Sequence, residues 1–342
     1  MNAIITSGKG TINIGAVAMP VIGDYDCLVK IKTCLFCNST DRHIVDGTFD
    51  FGIQYPCILG HESIGQIVSV GKKVRNFASG DWVTSPNAVY PGEVESGMGS
   101  GFGGFAEFGK VRDSMAMSAD GLISAQDITE FFRYMQKIPA ELSPDRCFLI
   151  GCSKEIYSSV KQIIASGGIC GRSFLIAGAG AAGCLFALFL KISGAENVSI
   201  TARQHTQLDF ALKSTPVDNA IPFNELNSHG RSFDALIDTT GSSSAVDFLL
   251  DNSIREDGFF FSYAVYPEMA KKDFFENFKK RIHFQRIDPV ESSTHDEICQ
   301  MLLHNIIDTN SFTTYRFHAD DAVQAWATVR DKKTVKTAVL FD

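Results

Sequence analysis

No stretch of this 342-residue chain approaches the roughly 18 uninterrupted apolar residues that cross a bilayer as a helix. Its opening, MNAIITSGKG, also lacks the basic segment and apolar run of a secretory leader, and any lipidation signal, so a cytoplasmic protein is expected. Positive charge is scarce: 31 Lys and Arg stand against 39 Asp and Glu, a formal charge of −8. That balance argues against a nucleic acid or an anionic membrane surface as partner and leaves small molecules. Charged residues make up 20% of the chain and hydrophobic ones 45%, which excludes a disordered polymer. Tryptophan is rare, with 2 residues, whereas 27 Phe promise an aromatic core. The nine cysteines are odd in number and lack a framework spacing, so buried thiols with one or two metal ligands are expected rather than disulfides.

The length suits two domains. Roughly the first 115 residues read as short strands (AIIT, DCLVKIKTC, SIGQIVSVG, DWVTSP) broken by Gly, Pro, Asn and Asp, the pattern of a β-rich domain. The Gly-rich stretch GMGSGFGGF at 97–105 reads as a mobile loop or a close backbone approach. Helical periodicity at 128–135 and 155–164 precedes an apolar strand at 173–177. Beyond it, strand and helix alternate: a helix at 184–193, strands at 198–201, 235–238 and 259–265, a helix at 319–329 and a last strand at 337–341. This βαβ rhythm means an α/β chain with a doubly wound parallel sheet.

Gly178, Gly180 and Gly183 spell G-x-G-x-x-G between that apolar strand and an apolar helix, with Ala181 and Ala182 inside the motif. The tight turn, the approach of a pyrophosphate and the helix–strand contact each exclude a Cβ, so a dinucleotide is expected there. An acid closing the next strand would hold a ribose 2′-hydroxyl, but the chain offers Ala202 and Arg203. A missing carboxylate and an available guanidinium favour a 2′-phosphate, so NADP is preferred and NAD is the alternative. The competing reading of Arg203 is a solvated loop charge.

Cys37 and His61 are a thiol and an imidazole suited to a borderline-soft ion, although each alone is more often a buried thiol or a satisfied loop histidine. The longer patterns decide between these readings. Cys37-x-x-Thr40-Asp41-x-His43, Pro56-Cys-Ile-Leu-Gly-His61-Glu62-x-x-Gly65, Gly80-Asp81-Trp82-Val83, Gly103-Gly104-Phe105-Ala106-Glu107, the nucleotide motif and Thr240-Gly241 together resemble the medium-chain zinc-dependent alcohol dehydrogenases. The likeness is to the branch acting on polyols, cyclitols and sugar alcohols, and it runs over essentially the whole chain.

The resemblance implies a GroES-like catalytic domain at 1–150, a Rossmann nucleotide-binding domain at 151–288 and a return segment at 289–342 completing the first. It implies one catalytic zinc per chain held by Cys37 and His61, with Glu62 as an adjacent carboxylate that binds the metal transiently or exchanges with water. Thr40 and His43 match the family's proton relay, and Asp41 matches the acid that orients the ligand histidine. Thr240 falls among the cofactor-binding positions. The implied reaction is reversible oxidation of a secondary alcohol with hydride passing to a nicotinamide. A homodimer or homotetramer is implied too, joined through nucleotide-domain strands near 259–265.

Three departures accompany the match. Cys37 to His43 holds one residue more than the family's usual spacing, so either Ser39 or Thr40 is the hydroxyl nearest the metal. Residues 90–101 contain none of the four cysteines that hold a structural zinc in many relatives, so no second zinc is expected. For the further catalytic ligand the sequence offers Cys152, which is favoured, or Glu155. Two other readings compete: a zinc-free quinone or enoyl reductase on the same scaffold, and a non-catalytic nucleotide-binding relative that has lost its last ligand.

Overall fold

The computed structural model describes residues 1–48, 52–230, 232–266, 273–331 and 335–341. Two compact units are present: Met1–Lys154 with Glu291–Asp342, and Glu155–Val290.

In the first unit, β1 (Asn2–Thr6), β2 (Ile12–Ala16), β3 (Asp26–Phe36), helix α1 (Thr40–Val45), β4 (Cys57–Ile58), β5 (Glu62–Val70) and β6 (Trp82–Thr84) follow one another. β7 (Val94–Glu95), β8 (Met98–Ser100), β9 (Phe108–Arg112), helices α2 (Ser114–Ala119) and α3 (Glu130–Arg133) and β10 (Lys137–Ile138) complete its N-terminal part. One sheet runs β2-β1-β4-β8-β7. The other runs β10-β6-β5-β3 and on through two returning strands, Lys336–Leu340 and Thr313–His318, with β9 also on β3. Return of the C-terminal segment is thus a sheet contact, with Val339 opposite Cys34 and Thr337 opposite Phe36. The alternating pattern of β3 puts Val29, Ile31 and Thr33 inside and Lys30 and Lys32 outside, as expected of a half-buried strand.

The 97–105 stretch is no loose loop. Its glycines let backbones touch: a Cβ on Gly99 would lie 2.0 Å from the Gln54 carbonyl oxygen, and one on Gly104 would lie 2.8 Å from that of Gly60. Where many relatives have structural-zinc cysteines, the β7–β8 hairpin is tied by a Lys110–Glu95 ion pair, and Tyr90 just before it donates its hydroxyl to Asp26 at 3.2 Å. All nine cysteines are free thiols.

The second unit follows from helix α4 (Ile150–Ala165), whose residues from Glu155 onward belong to it. Then come β11 (Ser173–Ala177), α5 (Ala181–Ile192), β12 (Asn197–Ala202), α6 (His205–Ser214), β13 (Asn219–Pro222), β14 (Phe233–Asp238), α7 (Ser243–Asn252), β15 (Ile254–Ser262), α8 (Phe274–Lys279) and β16 (His283–Arg286). The strands are parallel in the order β13-β12-β11-β14-β15-β16, two halves wound outward from β11 and β14. Phe174, Leu175 and Ile176 have no exposure, the continuous apolar run of a strand covered on both faces.

Several boundaries differ from the sequence expectation, three of them near the functional elements or a sheet edge. The 128–135 helix is only Glu130–Arg133, since Lys137 and Ile138 pair with β6. α4 begins at Ile150, five residues early, which places Cys152 inside its first turn. The 259–265 strand ends at Ser262, because the amides of Tyr263 and Ala264 turn to the Asp238 carbonyl. That strand is paired on both sides, so among the described residues the open edge of the sheet on this flank is β16.

Candidate metal centre and nucleotide turn

The centre is built at the ends of three strands. β3 ends in Phe36, which is buried against Phe105 with ring centroids 4.3 Å apart, and Cys37 follows where the chain leaves the sheet. Gly60, at φ +101°, turns the chain from β4 into β5; a Cβ there would meet Phe105 Cδ2 at 2.5 Å and Cys34 Sγ at 2.8 Å. Only glycine fits that corner, and the corner aims His61 and Glu62 at Cys37. One donor atom each from Cys37, His61 and Glu62 lie within 4.8 Å of one another, the one cluster of its kind among the described residues.

Asp41, in the first turn of α1 and fully buried, fixes this arrangement. Its Oδ2 accepts from the Cys37 backbone N–H at 2.8 Å, and its Oδ1 lies 3.6 Å from His61 Nδ1. The Nε2 edge of the ring faces Glu62, 3.9 Å from Oε1. Burial opposes protonation of His61, but Asp41 and the Cys37 sulfur outweigh it and hold the imidazole pKa well above the ordinary value. The surroundings therefore favour positive charge. Asp41 Oδ1, His61 Nδ1 and Glu62 Oε2 are all buried without a hydrogen-bond partner, although such groups are normally satisfied. A soft–hard donor set of thiol, imidazole and carboxylate with orphaned buried atoms fits a zinc ion.

Cys152 is 6% exposed in the first turn of α4, and its sulfur acts electrostatically on the same ammonium as Cys37 does, that of Lys336. A Cβ on the neighbouring Gly151 would sit 3.9 Å from Glu62 Cα, which places this turn against β5. Glu155 falls in the other unit, and its carbonyl accepts from the Ser158 and Ser159 hydroxyls.

Lys336 was not foreseen from the sequence. It opens the last strand, is 3% exposed and donates to Glu62 Oε1. Burial alone would lower its pKa, but Glu62, Cys152 and Cys37 raise it well above the ordinary lysine value. The available signal was a charged residue at the head of an apolar strand, where Lys is almost never buried unless paired.

On α1, Ser39 is exposed, Thr40 partly buried and His43 half-buried, with His43 Nδ1 2.9 Å from the Thr48 hydroxyl. Desolvation, aided by Arg42 and opposed by Asp46, lowers the His43 pKa, so the ring is neutral at pH 7.

In the second unit the three glycines have separate jobs. Gly178 is at φ +102°, and a Cβ there would meet Thr239 Oγ1 at 2.5 Å. A Cβ on Gly183 would lie 1.9 Å from the Gly178 carbonyl oxygen, whereas one on Gly180 would meet nothing within 4 Å. The space at Gly180, at the N-terminus of the twelve-residue helix α5 that begins with Ala181 and Ala182, is open, with room for an anion at the helix end. Asp238, fully buried at the end of β14, shapes the adjoining loop by accepting from the Thr240 amide and hydroxyl at 2.9 and 2.6 Å, the Gly241 amide at 3.1 Å and the Tyr266 hydroxyl. Ala202 closes β12 and Arg203 is exposed beyond it, its guanidinium 5.6 Å from the Phe223 ring centroid.

Comparison with known proteins accords with this geometry. Residues 23–121 match the alcohol dehydrogenase GroES-like domain. The chain is 29% identical over 279 residues to D-arabinitol dehydrogenase 1 of Uromyces fabae, covering 74% of this chain and 72% of that protein. It is 24% identical over 336 residues to L-threonine 3-dehydrogenase of Yersinia enterocolitica, covering 95% of each. The solved structure of alcohol dehydrogenase TADH from Thermus sp. ATN1 superposes with a TM-score of 0.77 at 18% identity over 100% of both chains, a likeness of fold. Residues 23–121 thus carry an alcohol dehydrogenase GroES-like domain, and over most of its length the chain is similar to polyol and threonine dehydrogenases.

Proposed function

We propose that this protein is a zinc-dependent dehydrogenase that moves hydride between a secondary alcohol, of the polyol, cyclitol or sugar type, and a nicotinamide cofactor. The observation that carries the reading is the convergence of Cys37, His61 and Glu62 donor atoms within 4.8 Å around buried, unpaired polar atoms. Cys37 and His61 would hold the ion with Cys152 as the further ligand, since Lys336 already balances the Glu62 carboxylate. When bound, zinc supplies Lewis-acid polarisation of the substrate oxygen.

The rest is the work of the chain. Asp41 orients the His61 ring and leaves its Nε2 edge for the ion. The substrate proton passes to the Thr40 or Ser39 hydroxyl and then to His43, whose neutral, half-exposed ring can deliver it to water. The Gly178–Gly183 turn and the first turn of α5, with Ala181 and Ala182, bind the pyrophosphate, and Thr240 borders that turn. Arg203 beside Ala202 favours NADP over NAD. Similarity to arabinitol and threonine dehydrogenases supports the substrate class. We also assign a cytoplasmic location, which accords with the lack, among the described residues, of a helix long and apolar enough to cross a membrane. A homodimer joined along the open edge at His283–Arg286 completes the proposal.

Metal analysis of the purified protein, together with nicotinamide absorbance across a panel of polyols, cyclitols and simple alcohols with both cofactors, tests the reading. About one zinc per chain and turnover of a secondary alcohol are expected. A metal-free chain that reduces quinones, or one that binds nucleotide without turnover, would replace the proposal.

A further inference from the structure

Phe102 has a cost that its own fold does not explain. Its φ is +74°, a left-handed conformation that a bulky L-residue rarely adopts. Glycine would sit there freely, and positions 97, 99, 101, 103 and 104 around it are all glycine, yet 102 is not. The backbone is held in place from both sides. Its N–H donates to Ser100 Oγ at 3.1 Å while that hydroxyl donates to the Val89 carbonyl at 2.7 Å, and its carbonyl accepts from Asn87 Nδ2. The flanking Gly101 and Gly103 amides both donate to Ile58, at 2.8 and 3.0 Å, and so bind this segment to the strand that leads into His61.

Such strained residues persist only where the surroundings over-determine them, and they gather at functional sites. Here the strained backbone places the Phe102 ring 5.2 Å, centroid to centroid, from the imidazole of His61, at 55°. Asp41 and Glu62 face the two nitrogens of that imidazole. The phenyl ring adds a contact to the imidazole ring itself, within the range of favourable aromatic pairs.

We propose that Phe102 is a positioning residue for the metal centre: it locks the orientation of His61, and its left-handed backbone is maintained for that purpose. The inference rests on the reading of Cys37 and His61 as zinc ligands. Groups that orient a metal-ligating histidine typically govern metal retention tenfold or more.

The experiment compares the zinc-loaded parent with Phe102→Leu, which keeps apolar bulk without the ring, and Phe102→Tyr, which keeps the ring. Phe102→Leu should release zinc to a chelator about ten times faster, shift the d–d absorption bands of the cobalt-substituted protein, and lower kcat and kcat/KM together. Phe102→Tyr should match the parent in release rate and cobalt spectrum. An unchanged release rate and cobalt spectrum in Phe102→Leu, or equal impairment in both variants, would overturn the assignment and leave Phe102 a packing residue. A parent chain that takes up neither zinc nor cobalt would instead remove the metal reading itself, a failure visible before any variant is made.

Discussion

The candidate metal centre and the glycine-rich turn offer contrasting ways of holding a charged ligand. The first gathers side chains from residues 37, 41, 61, 62, 152 and 336, spread over nearly the whole chain, and leaves some of their buried atoms without partners. The second is one uninterrupted segment, 177–183, whose contribution is backbone and the absence of side chains. A site made of side-chain chemistry should fail when an atom type changes. A site made of backbone should fail when volume is added.

The largest expected effect lies on the chemical side. Cys37→Ser should empty the metal site and lower kcat/KM by more than about 1,000-fold, on the scale of losing a principal catalytic element, while cofactor binding followed by fluorescence stays within twofold. Full zinc occupancy in that variant would dissolve the distinction between the two sites.

Next comes a control on acid sensitivity. Buried His295 has its pKa pushed down to about 4, first by desolvation and then by the Lys154 ammonium. The unfolded chain, with an ordinary value of 6.5, therefore binds a proton that the folded chain refuses. This group's contribution to stability is full above pH 6.5 and is lost as the pH falls towards 4, by about 3 kcal/mol in all. Denaturant unfolding at pH 7 and pH 4.5 should show the loss, and His295→Gln should flatten it. A profile unchanged by that substitution would show that other groups carry the acid limb.

On the backbone side, Gly183→Ala places a Cβ 1.9 Å from the Gly178 carbonyl oxygen, whereas Gly180→Ala enters open space. Gly183→Ala should lower stability by about 1–3 kcal/mol, the usual range for overpacking. Gly180→Ala should leave thermal unfolding near that of the parent and weaken the cofactor dissociation constant. Equal thermal shifts for the pair would show that steric room does not distinguish them.

His43→Gln should slow alcohol oxidation about 10-fold to 100-fold below neutral pH, with zinc and cofactor affinity intact. The lowered pKa of His43 predicts that the parent's relay stays open down to a pH below the ordinary histidine midpoint. A pH–rate profile superimposable on the parent's would reject the role. The smallest effect concerns Arg203: NADP should bind roughly tenfold to a hundredfold more tightly than NAD, the worth of a charge-assisted contact, and Ala202→Asp should reverse the order. Equal dissociation constants in the parent would sink the preference.

Legibility follows the same division. Gly178, Gly180 and Gly183 are recognisable because the physical requirement is local: a strand, a turn with no Cβ and a helix start lie within a dozen residues, and the atoms that crowd Gly178 and Gly183 lie in the same turn or just after the adjacent strand. The end of β15 is not legible locally, because the turn at Tyr263 depends on the carbonyl of Asp238, a residue 25 positions earlier. The position of Cys152 inside a helix is not legible locally, because no N-cap residue marks Ile150 as the first helical residue.

The sequence by itself determined the two-unit α/β plan, the nucleotide turn and the candidacy of Cys37, His61 and Glu62, because period, glycine spacing and ligand type are properties of short segments. Only the tertiary structure decided that Lys336 neutralises Glu62, that Phe102 faces His61 and that Asp41 links the Cys37 amide to the imidazole. These contacts join residues as far apart as 62 and 336, and no local periodicity records which charge a folded sheet will bury beside another.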